Sequence, residues 1–295
     1  MLLPRFDRNI RFFGQEGQAR LRNTHAVIVG IGGLGTHVVQ QLAFLGVGVM
    51  TLVDGEELDE TNRNRYIGSR EDDPIPGTKK TAIGQRLIKS IDSSIGVTPV
   101  DEDLISERGF SAVLRAEYVF GCLDGEGARL VLTQLCAAYG KPYFDLASEI
   151  IPGEKTRYGG RVCFSRRGEG CLLCLGELDA AEAGLELAGE DARKQRDAIY
   201  GVKKGQLGRA GPSVVTINGL IASIATTEFM LELTGVRSAL RLVKYYGHTG
   251  RITAPSDPPA PDCYVCKGLY GRRDAADVQH YIRDAARRGA AERPL

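Results

Sequence analysis

Ala26-Val27-Ile28-Val29-Gly30-Ile31-Gly32-Gly33-Leu34-Gly35 is an apolar β run that opens directly into a glycine-rich turn. The residues that follow, Thr36 to Leu45, carry apolar side chains at helical spacing (Val38, Val39, Leu42, Leu45), so the glycines fall at a strand-to-helix turn. Gly30 permits the tight turn, Gly32 and Gly33 let a ligand approach the backbone, and Gly35 lets the helix pack on the strand. The helix N-terminus then presents free N–H groups to an anion. A second apolar run, Val47 to Val53, ends in Asp54, where a carboxylate can accept hydrogen bonds from ribose hydroxyls. Up to this point NAD, FAD and ATP fit equally well.

The next segment separates those ligands. Asn62-Arg63-Asn64-Arg65 follows an acidic loop, and Gly77-Thr78-Lys79-Lys80 opens a helix to about Ile91, with Ile83, Leu87, Ile88 and Ile91 on one face. A dehydrogenase has no use for these cations, whereas a site that reacts polyphosphate does, because fixed positive charge stabilises growing negative charge without reorganising. Tyr118-Val119-Phe120-Gly121-Cys122-Leu123-Asp124 reads as another buried strand that delivers a carboxylate at its carboxyl end. Asp124 there can hold Mg²⁺ together with phosphate oxygens, or cap a helix over Ala128 to Tyr139, and the two roles are compatible.

Seven cysteines are present, and four of them form Cys-X-X-Cys pairs: Cys171 with Cys174, and Cys263 with Cys266. The chain carries no leader-like start and no run of about 18 apolar residues, which predicts a cytoplasmic protein. In a reducing compartment such pairs read as a closed tetrahedral Zn²⁺ site with a structural role; redox chemistry is the alternative, without a thioredoxin-like context to support it. Cys122, Cys136 and Cys163 lie in apolar surroundings that suit buried, inert thiols. A net charge of +1 gives no general attraction to nucleic acid or anionic membrane, and 43% hydrophobic residues over 295 suffice for one large or two small domains.

Taken in order, Arg5-Phe6-Asp7-Arg8-Asn9, the Gly-X-Gly-Gly-Leu-Gly loop, Asp54, Asn62 with Arg65, Gly77 with Lys80, Asp124 and the two cysteine pairs resemble the ThiF/MoeB/HesA-type adenylyltransferases, relatives of the ubiquitin-activating enzymes. The resemblance spans about residues 5 to 270. It implies an α/β, Rossmann-like, doubly wound and mostly parallel sheet with a C-terminal antiparallel extension and a structural zinc site. It divides the chain into a helical arm (1–24), one ATP-binding adenylation domain (25–270) with a crossover loop at about 176–211, and a tail (271–295).

It further implies that Gly32, Gly33, Asp54, Asn62, Arg65, Lys80 and Asp124 bind ATP–Mg²⁺, and that Arg8, Arg65, Lys80 and Asp124 are catalytic, with Arg8 reaching across a homodimer. The partner would be a small ubiquitin-like or sulfur-carrier protein whose C-terminal carboxylate displaces pyrophosphate to give an acyl-adenylate. A short ribosomal peptide is the alternative substrate, and a scaffold half of a heterodimer or a nicotinamide-dependent oxidoreductase are the alternative classes. Three departures stand out: Tyr66 where the family usually has Gln, Gly125 where Asn is common, and no Pro before the lysine, so that Lys80 rather than Lys79 rests on register. Relatives that form a thioester place a cysteine in the crossover segment, and Gly176 to Gly211 has none.

The same segment is acidic early (Glu177, Asp179, Glu182, Glu186) and basic later (Arg193, Lys194, Arg196, Lys203, Lys204). It reads as a solvated face or loop, or as a crossover that closes over the substrate tail. Pro212 to Leu233 reads as a core or dimer-interface helix. Ala275 to Arg288 reads as a basic helix or a disordered tail, and no histidine has ligand spacing.

Overall fold

Apolar, β-branched runs of five residues are too short to bury themselves and must pair edge to edge between helical layers. In a computed structural model, which describes residues 4–189 and 211–291, they form one sheet of eight strands. The elements in chain order are α1 (Asp7–Asn23), β1 (His25–Val29), α2 (Gly33–Leu45), β2 (Val49–Val53), α3 (Lys80–Ile91), β3 (Gly96–Val100), α4 (Glu107–Arg115), β4 (Tyr118–Gly121) and α5 (Glu126–Ala138). They continue with β5 (Tyr143–Ile151), β6 (Arg157–Ser165), α6 (Ala180–Ala188), α7 (Val215–Thr234), β7 (Leu242–Tyr246), β8 (Arg251–Thr253) and α8 (His280–Ala291).

Strand order is β3-β2-β1-β4-β5-β6-β7-β8. The first five run parallel, and β6, β7 and β8 add on antiparallel, which is the doubly wound sheet with antiparallel extension expected from the sequence. Alternate residues of each strand serve opposite layers. Ala26, Ile28 and Phe120 pack with α2, α3 and α7, whereas Val27, Val29 and Val119 pack with α4 and α5. Strand order reverses between β1 and β4, and in open α/β sheets the crevice at that switch point is where ligands bind. The glycine loop, Asp54 and Asp124 all leave the sheet there.

Gly35 shows how tightly that turn is made. A β-carbon on it would lie 2.0 Å from the carbonyl oxygen of Gly30, so only glycine lets α2 begin so close to β1. The 190–210 stretch of the expected crossover lies outside the described residues, but its beginning does not: residues 180–188 form α6, with Ala183 buried against the sheet layer of α5. The tail from His280 is helical. Among the described residues no helix is long and apolar enough to cross a membrane.

Candidate functional site

At the switch point lies a cavity of about 2000 Å³, roughly twice the upper end of what a single drug-sized ligand usually fills. Its lining includes Gly32, Gly33, Asp54, Asn62, Arg65, Lys80 and Asp124, seven residues spread over 93 positions of sequence. Arg8 does not line it; it sits exposed in the first turn of α1. A second wing of the cavity runs along the antiparallel extension, past Ser148, Ile151, Tyr158, Gly160, Lys244 and Tyr246.

Three of the polar groups in the first wing, Asp54, Asn62 and Arg65, are held by backbone. The Oδ2 of Asp54 accepts from the N–H of Ile31 at 2.7 Å and its Oδ1 from that of Glu56 at 2.8 Å. Burial raises the Asp54 pKa, against the opposing pull of Lys80 and these two N–H groups. The carboxylate thus braces the glycine loop itself. Asn62 and Arg65 sit on a 3₁₀ turn, Glu60–Arg65, that is started by a reciprocal cap: Asp59 accepts from the N–H of Thr61, while Asn62 Oδ1 accepts from the N–H of Asp59. Arg65 donates to the carbonyl of Thr61 at 2.6 Å, and its aliphatic stem lies over Gly33.

Lys79 and Lys80 part company at the start of α3. Lys80 is 7% exposed, lines the cavity and pairs with Glu56; Lys79 points away and pairs with Glu57 at 3.1 Å. The backbone of Lys80 is pinned on both sides, its N–H donating to the carbonyl of Glu56 and its carbonyl accepting from the hydroxyl of Tyr66 at 3.1 Å. Burial pushes the Tyr66 phenol far up, with Asp54 and Glu56 adding to it, so it stays a protonated donor. The departure at position 66 therefore turns inward, away from the cavity.

Asp124 is exposed on the cavity wall. It caps no helix, contrary to one of its two sequence readings: α5 starts at Glu126 with Gly125 as its cap residue and no capping side chain of its own. The apolar spacing misses this early start because Glu126 and Gly127 contribute no apolar side chain to it. A carboxylate from elsewhere does the capping. Glu186 of α6 accepts from the N–H of Gly127 at 2.7 Å, and in return Glu126 accepts from the N–H of Asp179, which caps α6.

Sequence reasoning missed two further groups. One is a buried chain of charge on the cavity floor. Asp145, fully buried on β5, accepts from the guanidinium of Arg161 and from the Tyr143 hydroxyl at 2.6 Å; Arg161 reaches the Glu177 carbonyl at 2.8 Å, and Glu177 pairs with Lys244. The signal was present, since a carboxylate inside the apolar run Tyr143-Phe144-Asp145-Leu146 requires a partner. The other is Asn218, 2% exposed in α7 and in contact with the glycine loop.

The four cysteines of the two pairs come together, with all four sulfurs within 4.8 Å of one another. Sγ–Sγ distances of 3.9 Å (Cys171–Cys174), 3.7 Å (Cys171–Cys263) and 3.8 Å (Cys174–Cys266) match the edge of about 3.8 Å that four Zn–S bonds of about 2.3 Å impose on a tetrahedron. The cluster could hold zinc. It joins the segment after β6 to the helical turn Tyr264–Leu269.

Comparison with known proteins identifies the family and the fold. Residues 6–265 match the ThiF family model. The sulfur carrier protein ThiS adenylyltransferase of Escherichia coli is 29% identical over 257 residues, 86% of this chain and 90% of that protein. The SAMP-activating enzyme E1 of Haloferax volcanii is 30% identical over 156 residues, 52% of this chain, and the match spans little more than half of that protein, 57%. Among solved structures, E. coli MccB with MccA-N7isoASN superposes with a TM-score of 0.70 over 90% of this chain and 75% of that one, at 21% identity, a likeness of fold. With the family match covering all but the two ends, the chain belongs to the ThiF family.

Proposed function

We propose that this protein is an ATP-dependent adenylyltransferase that activates the C-terminal carboxylate of a small ubiquitin-like or sulfur-carrier protein as an acyl-adenylate, releasing pyrophosphate. The observation that carries the reading is the cavity itself. One wing combines a helix N-terminus at Gly32–Gly33, two cations and the exposed carboxylate of Asp124, and the other wing leaves room for a second substrate.

In this reading Asp54 holds the ribose, and Asn62, Arg65 and Lys80 hold the triphosphate over the N-terminus of α2. Asp124 would hold Mg²⁺, which would neutralise charge on the phosphates and leaving group. The incoming carboxylate is already ionised near neutrality, so the protein supplies no base: Arg65 and Lys80 position the α-phosphorus and offset the charge that builds as the carboxylate oxygen bonds to it. Arg8 acts from the partner subunit of a homodimer. The four-cysteine site holds zinc as a structural staple, with no open position for chemistry.

No thioester is part of this scheme. The crossover has no cysteine, and burial pushes the Cys122 and Cys136 thiols well up and that of Cys163 up to about 12, which leaves little thiolate for attack.

The test is ATP–pyrophosphate exchange on zinc-loaded protein with a panel of small carriers and their C-terminally amidated forms. Exchange that requires one carrier and its free carboxylate supports the reading. Exchange driven only by short peptides with a free terminal carboxylate would favour the second reading, peptide adenylation, to which the fold shared with MccB lends support. ATP binding without exchange under any of these conditions would point to a scaffold instead.

A further inference from the structure

The two wings of the cavity meet at Asn218. It lies in the first turns of α7, 2% exposed, and is itself part of the cavity wall. Its amide is fixed on both sides: Oδ1 accepts from the Ser148 hydroxyl of β5 at 2.7 Å, and Nδ2 donates to the Ser213 hydroxyl at 3.1 Å. A β-carbon placed on Gly33 would sit 2.8 Å from that same Nδ2 and 3.0 Å from the Cγ of Arg65. The amide nitrogen therefore rests directly on the glycine loop, in the space that glycine leaves.

A primary amide nitrogen carries two hydrogens, and among the described residues Ser213 takes one. The position of the other follows from where Asn218 stands. On one side of it are Gly32, Gly33 and Arg65; on the other are Ser148, Ile151 and Gly160 of the second wing. If the first wing holds a triphosphate and the second a polypeptide terminus, their reacting atoms meet at this junction.

We propose, resting on the adenylation reading, that Asn218 is a catalytic residue whose second Nδ2–H donates to a non-bridging oxygen of the α-phosphoryl group. In the step it serves, a carboxylate oxygen bonds to the α-phosphorus. The bond from that phosphorus to the bridging oxygen breaks, and its electron pair leaves with pyrophosphate. No proton moves. A neutral donor held by two hydroxyls adds no charge that would bind the incoming carboxylate too tightly, and its preorganisation means nothing must reorient as charge builds.

The competing role is a staple between β5 and the start of α7. Asn218→Asp separates the two, because an aspartate of equal size can still accept from both serine hydroxyls while it replaces the donor with a negative charge. The expected result is a fall in exchange rate on the order of 10²-fold for Asn218→Ala and a larger fall for Asn218→Asp. By calorimetry Asn218→Asp should also bind ATP more weakly and adenosine as before, with a melting temperature near that of the unsubstituted protein. Asn218→Asp that exchanges pyrophosphate and binds ATP normally would overturn the proposal while leaving the adenylation reading intact. Losses of activity that only track losses of melting temperature in both variants would overturn it in favour of the staple. An unsubstituted protein that binds no ATP would overturn both.

Discussion

Two helices, α2 and α5, point their N-termini at the same cavity from adjacent parallel strands, yet they are finished in opposite ways. α2 starts from Gly32 with no capping side chain, and among the described residues nothing lies within 4 Å of where a Gly32 side chain would begin. α5 starts from Gly125, and a side chain there would meet the Glu186 carboxylate at 2.8 Å, the same carboxylate that accepts from Gly127. Both ends carry the partial positive charge of aligned peptides. One is filled by an anion of the protein itself, and among the described residues the other is left bare. The difference is what the proposed function would use: the bare end shares the cavity with Arg65 and Lys80 and would take the polyphosphate, while the filled end would only have to present Asp124.

The comparison breaks most completely if the bare end is rebuilt. Gly35→Ala drives a methyl group into the Gly30 carbonyl, backbone against backbone with no flexible side chain to yield, and should cost about 4 kcal/mol or more. Little soluble folded protein is the expected outcome. A variant that melts like the unsubstituted protein would show that the turn can open without penalty.

Asp124→Ala should leave stability alone, because Asp124 caps nothing; a melting temperature within about 2 °C is expected. Pyrophosphate exchange should fall by on the order of 10²–10³-fold. Loss of stability in step with activity would return Asp124 to a structural role.

At the filled end the effects should invert. Glu186→Ala removes a helix cap and should cost about 1 kcal/mol, read by chemical denaturation, with a smaller effect on exchange than Asp124→Ala. Gly125→Asn should resemble it, since the new side chain competes with Glu186 for one space. If Glu186→Ala instead abolishes exchange at full stability, the filled end takes part in chemistry and the contrast fails. The smallest effect belongs to Lys79→Ala, which breaks a surface pair with Glu57 on the cavity rim, Lys79 itself not lining the cavity: exchange should stay within about twofold, against a loss on the order of 10²-fold for Lys80→Ala.

Much of the nucleotide-side geometry was readable from local chemistry. The glycine loop follows β1 and opens α2, and the helix carrying Lys80 begins at that residue, because turn residues and apolar spacing act over a few positions. The cysteine pairs met because thiolate spacing encodes a ligand set. The start of α5 was not readable, since its cap comes from Glu186, 59 residues ahead in sequence. Nor was Asn218, whose partner Ser148 lies 70 residues away.

What the sequence determined by itself, then, is what short-range forces decide: the parallel strands, the turns that end them, the cations and carboxylates brought to those ends, and the four sulfur ligands. What only the tertiary structure decided is which of two adjacent lysines faces the cavity, which helix N-terminus stays open, and which amide lies against the glycine loop. Those outcomes depend on groups that are neighbours in space and strangers in sequence. A buried polar atom must take whatever partner the packing of the layers delivers to it, and no local pattern names that partner in advance.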